Sequence, residues 1–129
     1  MGVSIQKGRD LRDVLVVDDD LELAELIGDE LKREGYRVRL AYSGDQALAQ
    51  IEAQPPDIAI LDLLMPGMGG DELCARIREN PALEGTRVLV LSGLPDTRVV
   101  AANCDADGAV VKPFTLDLLK HEVRRLAGA

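Results

Sequence analysis

Four short apolar runs, "VLVV", "IAIL", "VLVL" and "AVV", each give way to a polar side chain: Asp18, Asp62, Ser92 and Lys112 respectively. Uninterrupted apolar runs of this length are what strands covered on both faces look like. A fifth run, "YRVRLA", alternates apolar residues with arginine, the pattern of a strand with one wet side at a sheet edge. The expected strands are therefore residues 14–17, 36–41, 57–62, 87–92 and 108–112.

The segments between them read as helices. Leu23, Ala24, Ile27 and Leu31 share one face at helical spacing, Asp20 stands where an N-cap belongs, and Gly35 supplies the stop. Helices are predicted likewise over 45–53, closed by Pro55 and Pro56, over 71–79 after the Gly/Pro-rich "LMPGMGG", and over 96–104. The last opens at Thr115 and turns Leu116, Leu119, Val123 and Leu126 inward.

Alternation of strand and helix implies an α/β domain: one doubly wound parallel sheet with right-handed crossovers and helices on both faces. Ligands in such sheets bind beyond the carboxyl ends of the strands. Asp18, Asp19, Asp20, Asp62, Ser92 and Lys112 all fall on that rim.

A chain of 129 residues is long enough to bury a core without disulfides or structural metal. Residues 1–12 read as an N-terminal tail and 13–129 as the domain. With 15 Lys and Arg against 23 Asp and Glu, a net charge of -8 and a pI near 4.6, the surface repels a phosphate backbone, so no direct nucleic-acid contact is expected. No apolar run reaches the roughly 18 residues of a membrane span, and the N-terminus lacks the apolar stretch of a secretion signal. A cytoplasmic protein without membrane contact is the expectation. Because the sequence closes at Ala129, soon after the last helix, it is expected either to act alone or to be a fragment of a longer regulator. Cys74 and Cys104 lack CxxC spacing and are expected to pack rather than bridge, as are Met65, Met68 and the single Phe114. Lys120, Arg124 and Arg125 read as a solvated helix face.

Three consecutive carboxylates at the mouth of an apolar strand repel one another and ask for a cation. One Asp would suffice to cap a helix. Three, facing a fourth at the end of another strand, fit a hard divalent metal better.

The blocks "VVDDD", "ILDLLMPGMGG", "VLVLSG" and "VVKPF", in order at four strand ends, resemble the signature of the response regulator receiver domain of two-component signalling, over about 14–126. That resemblance implies a flavodoxin-like sheet of five strands in the order 2-1-3-4-5. It also implies a phosphoacceptor signalling domain whose Asp62 takes a phosphoryl group from a sensor histidine kinase or phosphotransfer protein and so switches binding to an unknown downstream effector. Asp18, Asp19, Asp62 and the main-chain carbonyl of Leu64 would hold Mg²⁺ or Mn²⁺. Lys112 and the Ser92 hydroxyl would meet the phosphoryl oxygens, and the bond before Pro113 would be cis. Such a domain is no enzyme toward external substrates: it catalyses only its own phosphotransfer and autodephosphorylation.

Three positions depart from the family pattern. Ala109 stands where most receivers carry Tyr or Phe, so the usual aromatic switch is missing. Leu64 and Leu94 are apolar where polar residues often govern the lifetime of the phosphoryl group. The rival within the fold is a pseudo-receiver, a phosphorylation-independent interaction module. A haloacid-dehalogenase-like phosphatase would share the D-x-D of Asp18 and Asp20, but Glu22 stands where that family has Thr or Val and the chain is short for that fold and its cap. No nucleotide-binding glycine loop follows the first strand.

Overall fold

The computed structural model describes residues 12–128. Among them, five strands alternate with five α-helices: β1 (Asp13–Val17), α1 (Leu21–Arg33), β2 (Arg37–Ala41), α2 (Gly44–Ala53), β3 (Ile58–Asp62), α3 (Gly70–Glu79), β4 (Arg87–Ser92), α4 (Thr97–Asn103), β5 (Gly108–Val111) and α5 (Leu116–Leu126). The strands form one parallel sheet in the order β2-β1-β3-β4-β5, the flavodoxin-like arrangement. Nearly all of the expected N-terminal tail lies outside the described residues.

The period-2 alternation of side chains splits the sheet into two cores. Val14, Val16, Ile58, Ile60, Leu89 and Leu91 face α1 and α5, where Ile27, Leu31, Leu119 and Val123 cover them. Leu15, Val17, Ala59, Leu61, Val88 and Val90 face α2, α3 and α4 and pack on Ile51, Leu73 and Ile77. Each such large side chain taken fully out of water contributes about 1.5–3 kcal/mol. This two-sided burial is why the central strands are apolar without interruption. β2, at the edge, is exposed or half-buried along most of its length.

Helix ends follow their residues. The N–H groups of Gly35 and Tyr36 donate to the carbonyls of Lys32 and Leu31 at 3.0 and 3.1 Å, and Gly35 takes the left-handed φ of +98° that this closure of α1 requires. α2 begins one residue earlier than predicted, because the Ser43 side chain caps it by accepting the Gln46 N–H at 3.1 Å. α4 is shorter at each end than the predicted 96–104, since Asp96 and Cys104 are its caps. A 3-10 turn at Pro81–Leu83, absent from the sequence reading, is set by Asn80, whose side chain accepts the Ala82 N–H at 3.0 Å.

The basic face of α5 is not freely solvated. Lys120 Nζ lies 3.3 Å from Glu30 and 3.9 Å from Glu34 with its side chain 18% exposed, and Arg124 reaches Glu34 at 3.5 Å. The spacing on α5 alone could not show that α1 turns two acids toward it. Met65 and Cys74 are buried, while Phe114 and Met68 are half-buried against the core. Among the described residues, no helix is long and apolar enough to cross a membrane.

Candidate functional site

β1 and β3 are parallel neighbours, so the residues leaving their carboxyl ends emerge side by side. Asp18, one residue beyond β1, is 1% exposed, and Asp62, the last residue of β3, is 5% exposed. Asp19 faces solvent. One carboxylate oxygen from each of the three lies within 4.8 Å of the others. Asp20 turns away from them: its side chain accepts the Leu23 N–H at 3.2 Å and caps α1. Asp18 is fixed by that same turn, its Oδ1 accepting the Asp20 N–H at 2.9 Å.

Lys112 follows β5 directly. Its Nζ stands 3.5 Å from Asp18 Oδ2 and 3.5 Å from Asp62 Oδ1. The Lys112 N–H also bonds to the Ser92 carbonyl at 2.8 Å, which holds the lysine at the level of the β4 end. The Lys112–Pro113 peptide bond is cis.

Burial, reinforced by the charge of Asp18, pushes the Asp62 carboxyl up to about 6, while Lys112 and the Leu64 N–H pull the other way. One ammonium thus faces two buried carboxylates, with the exposed Asp19 beside them. The excess of negative charge and the all-oxygen donor set fit a hard divalent cation.

Ser92 is buried, and its Oγ accepts the Leu94 N–H at 3.0 Å. The Thr97 hydroxyl, also buried, donates to the Leu94 carbonyl at 2.6 Å. Sequence reasoning passed over Thr97 as a residue of a weak helix. Two glycines were missed in the same way. A Cβ on Gly70 would overlap the Asp62 carbonyl, and one on Gly44 would come within 2.6 Å of the Met68 carbonyl, so both let the loop after Asp62 lie close to the sheet and α2. For Gly70 the doubled glycine of "GMGG" was the available signal.

Leu64 is 60% exposed beside the acid cluster, and Leu94 is half-buried two residues past Ser92. Ala109 is not brought to the rim. It pairs with Val90, two steps below the Ser92–Val111 pair, and lines a shallow groove of about 210 Å³ with Ala101, Ala102 and Ala106.

The family model of the response regulator receiver domain matches residues 14–124. The chain belongs to this family. This receiver domain is 35% identical over 115 residues to the phosphate regulon transcriptional regulatory protein PhoB of Rhizobium meliloti, an alignment that covers 88% of the chain and 51% of that protein. It thus spans about half the length of this curated relative. Among solved structures it resembles the chemotaxis protein CheY4 of Vibrio cholerae, with a TM-score of 0.83, 30% identity, and coverage of 90% of this chain and 98% of that one. The signal receiver domain of a signal transduction histidine kinase from Syntrophus aciditrophicus matches with a TM-score of 0.83 at 32% identity, covering 89% of both chains.

Proposed function

We propose that this receiver domain is a phosphoacceptor that takes a phosphoryl group onto Asp62 and changes its contacts with a downstream partner in response. The observation that carries the reading is Lys112 Nζ at 3.5 Å from each of two buried carboxylates, Asp18 and Asp62. Unlike Lys120, which ties α5 to acids of α1, Lys112 meets its carboxylates at the rim where the strands end. With a divalent cation offsetting the carboxylates, that ammonium is left to meet the oxygens of an incoming phosphoryl group.

An Asp oxygen is a weak nucleophile, so positioning and charge neutralisation must carry the reaction. Asp62 Oδ attacks phosphorus as the bond to the donor's imidazole nitrogen, or to the oxygen of an acyl phosphate, breaks; the leaving group keeps the electron pair. Lys112 neutralises one phosphoryl oxygen and the Ser92 hydroxyl, once turned from the Leu94 N–H, donates to another. Asp18, Asp19, Asp62 and the Leu64 carbonyl would hold Mg²⁺ or Mn²⁺, which when bound supplies further charge neutralisation at the phosphoryl oxygens. Hydrolysis of the aspartyl phosphate restores Asp62, so the domain acts only on its own phosphoryl group and is not an enzyme toward external substrates.

The donor is a sensor histidine kinase or phosphotransfer protein, and the setting is cytoplasmic. The family match and the kinase-borne structural relative support this assignment. Incubation with acetyl phosphate or a phosphorylated histidine kinase plus Mg²⁺, followed by intact mass measurement, tests it. One phosphoryl group should be gained by the native chain and none by Asp62→Ala. An equal gain in both would remove Asp62 from the role, and no gain in either would leave a phosphorylation-independent interaction module.

A further inference from the structure

The two cysteines of the chain, on different elements, meet across the gap between α3 and α4. The Cys74 thiol donates to the Cys104 carbonyl at 3.0 Å, and burial first and the neighbouring Cys104 second hold the Cys74 thiol up. The Cys104 thiol also leans on the Ala101 carbonyl at 3.5 Å. Cys74 is fully buried and Cys104 half-buried, and both are free thiols.

We propose that Cys74 and Cys104 are a peroxide-responsive pair that closes a reversible intramolecular disulfide and ties the end of α4 to α3. The pair lies outside the carboxylate site and does not depend on the phosphoacceptor reading. Its placement selects the order of events. Burial holds the Cys74 thiol well above the ordinary range, so it stays protonated and shielded, and the first oxidation falls on Cys104, which solvent reaches. The Cys104 sulfur takes one oxygen from hydrogen peroxide, giving a sulfenic acid and one water. When the lightly held end of α4 opens, water reaches Cys74 and takes its proton, the Cys74 thiolate attacks the Cys104 sulfur, the S–O bond breaks, and the leaving hydroxide takes up a proton as a second water. Two thiols are oxidised and one peroxide is reduced. A thiol reductant reverses the bond by exchange, as expected of a transient bridge in a reducing compartment.

The consequence falls on α4. This helix has seven residues, below the length that sustains a helix alone, and it buries only Thr97 and Ala101. Elements so lightly anchored open locally. Cys104 is its C-cap, so a bond to the buried Cys74 pins its far end to the core.

Treat the reduced chain with hydrogen peroxide, quench with an alkylating agent and weigh it. The native chain should lose the mass of two hydrogen atoms, take up no alkyl group, yield a linked Cys74–Cys104 peptide, and revert with dithiothreitol. Cys104→Ser, at a half-exposed position compatible with folding, and Cys74→Ala should each fail to form it. Amide exchange over residues 97–103 should slow several-fold in the oxidised native chain and not in peroxide-treated Cys104→Ser. Oxygen addition at Cys104 without the linked peptide, or bridges only between chains, would overturn the proposal. Exchange in α4 indifferent to the bond would overturn the tether. Acetyl phosphate labelling of Cys104→Ser reports separately on Asp62.

Discussion

The Lys112 ammonium sits 3.5 Å from the Asp62 carboxylate, although the strands that deliver the two residues, β5 and β3, are separated by β4. The lysine reaches across the end of β4, over Ser92, with its own N–H anchored on the Ser92 carbonyl at 2.8 Å. Every group proposed to meet the phosphoryl oxygens therefore lies on the arc from β1 to β5.

Lys112→Ala should slow phosphoryl acquisition from acetyl phosphate by about a hundredfold, the scale of losing one preorganised charge contact to a reacting oxygen. It should also raise the Asp62 carboxyl further, since Lys112 is one of the groups holding it down. Carbon NMR titration of the labelled aspartates and a labelling time course measure both effects. Unchanged labelling would show that Lys112 is only an ion-pair partner.

Asp62 is raised from 3.8 to about 6 in the folded chain, so without metal the fold binds its proton more tightly than the unfolded chain does. For an acid shifted in this direction, stability falls as pH rises from 3.8 toward 6 and stays level above. Asp62→Asn should then stabilise metal-free protein by on the order of 2 kcal/mol near neutral pH, and the gain should vanish in acid below the unfolded value. Added Mg²⁺ should raise the Tm of the native chain and do so less for the variant. Denaturant melts across pH check this, and a gain that grows toward low pH would reverse the sign.

Leu64 and Leu94 flank the proposed acceptor and hydroxyl with side chains that cannot hydrogen-bond an attacking water. The aspartyl phosphate should consequently be long-lived, and Leu64→Asn and Leu94→Glu should each shorten it. Leu64 is 60% exposed, so its replacement should leave folding nearly unchanged. Decay of the labelled protein in Mg²⁺, after removal of the phosphoryl donor, gives the rates, and equal or slower decay in both variants would refute the idea.

The strands and their polar ends were legible because a parallel sheet buried on both faces leaves a plain signature. Runs such as Ile58 to Leu61 have no wet side to interrupt them, and the first polar residue afterwards marks the rim. What stayed hidden depended on contacts between elements far apart in sequence. Lys120 looked solvated until α1 brought Glu30 and Glu34 to it, and the meeting of Cys74 with Cys104 follows from how α3 and α4 settle on one sheet face. Helix ends were displaced by one residue because Gly44, Asp96 and Cys104 could each be read as inside or outside a helix.

Ala109 limits the ways in which this receiver can change shape when its acceptor is phosphorylated. An alanine has no rotamer to exchange, and Ala109 lies two register steps below the rim. A switch nevertheless needs contacts that differ between two states. Ser92 supplies one: its Oγ now accepts the Leu94 N–H at 3.0 Å, and turning that hydroxyl to a phosphoryl oxygen deprives Leu94 of its acceptor. The Leu94 carbonyl is in turn held by the buried Thr97 hydroxyl at 2.6 Å, so displacement at Leu94 passes directly to the first residue of α4. That helix has, among the described residues, no side-chain hydrogen bond at its N-cap Asp96, and it is rich in small and β-branched residues, so little resists its repacking. Backbone amide shifts on adding beryllofluoride and Mg²⁺, which mimic the phosphoryl group, should therefore concentrate in residues 93–104. Thr97→Val keeps the shape of the side chain but breaks the relay, and should confine the shifts to the residues nearest the acids. Strong shifts around Ala109 with 93–104 unmoved would mean that the signal leaves through β5 instead.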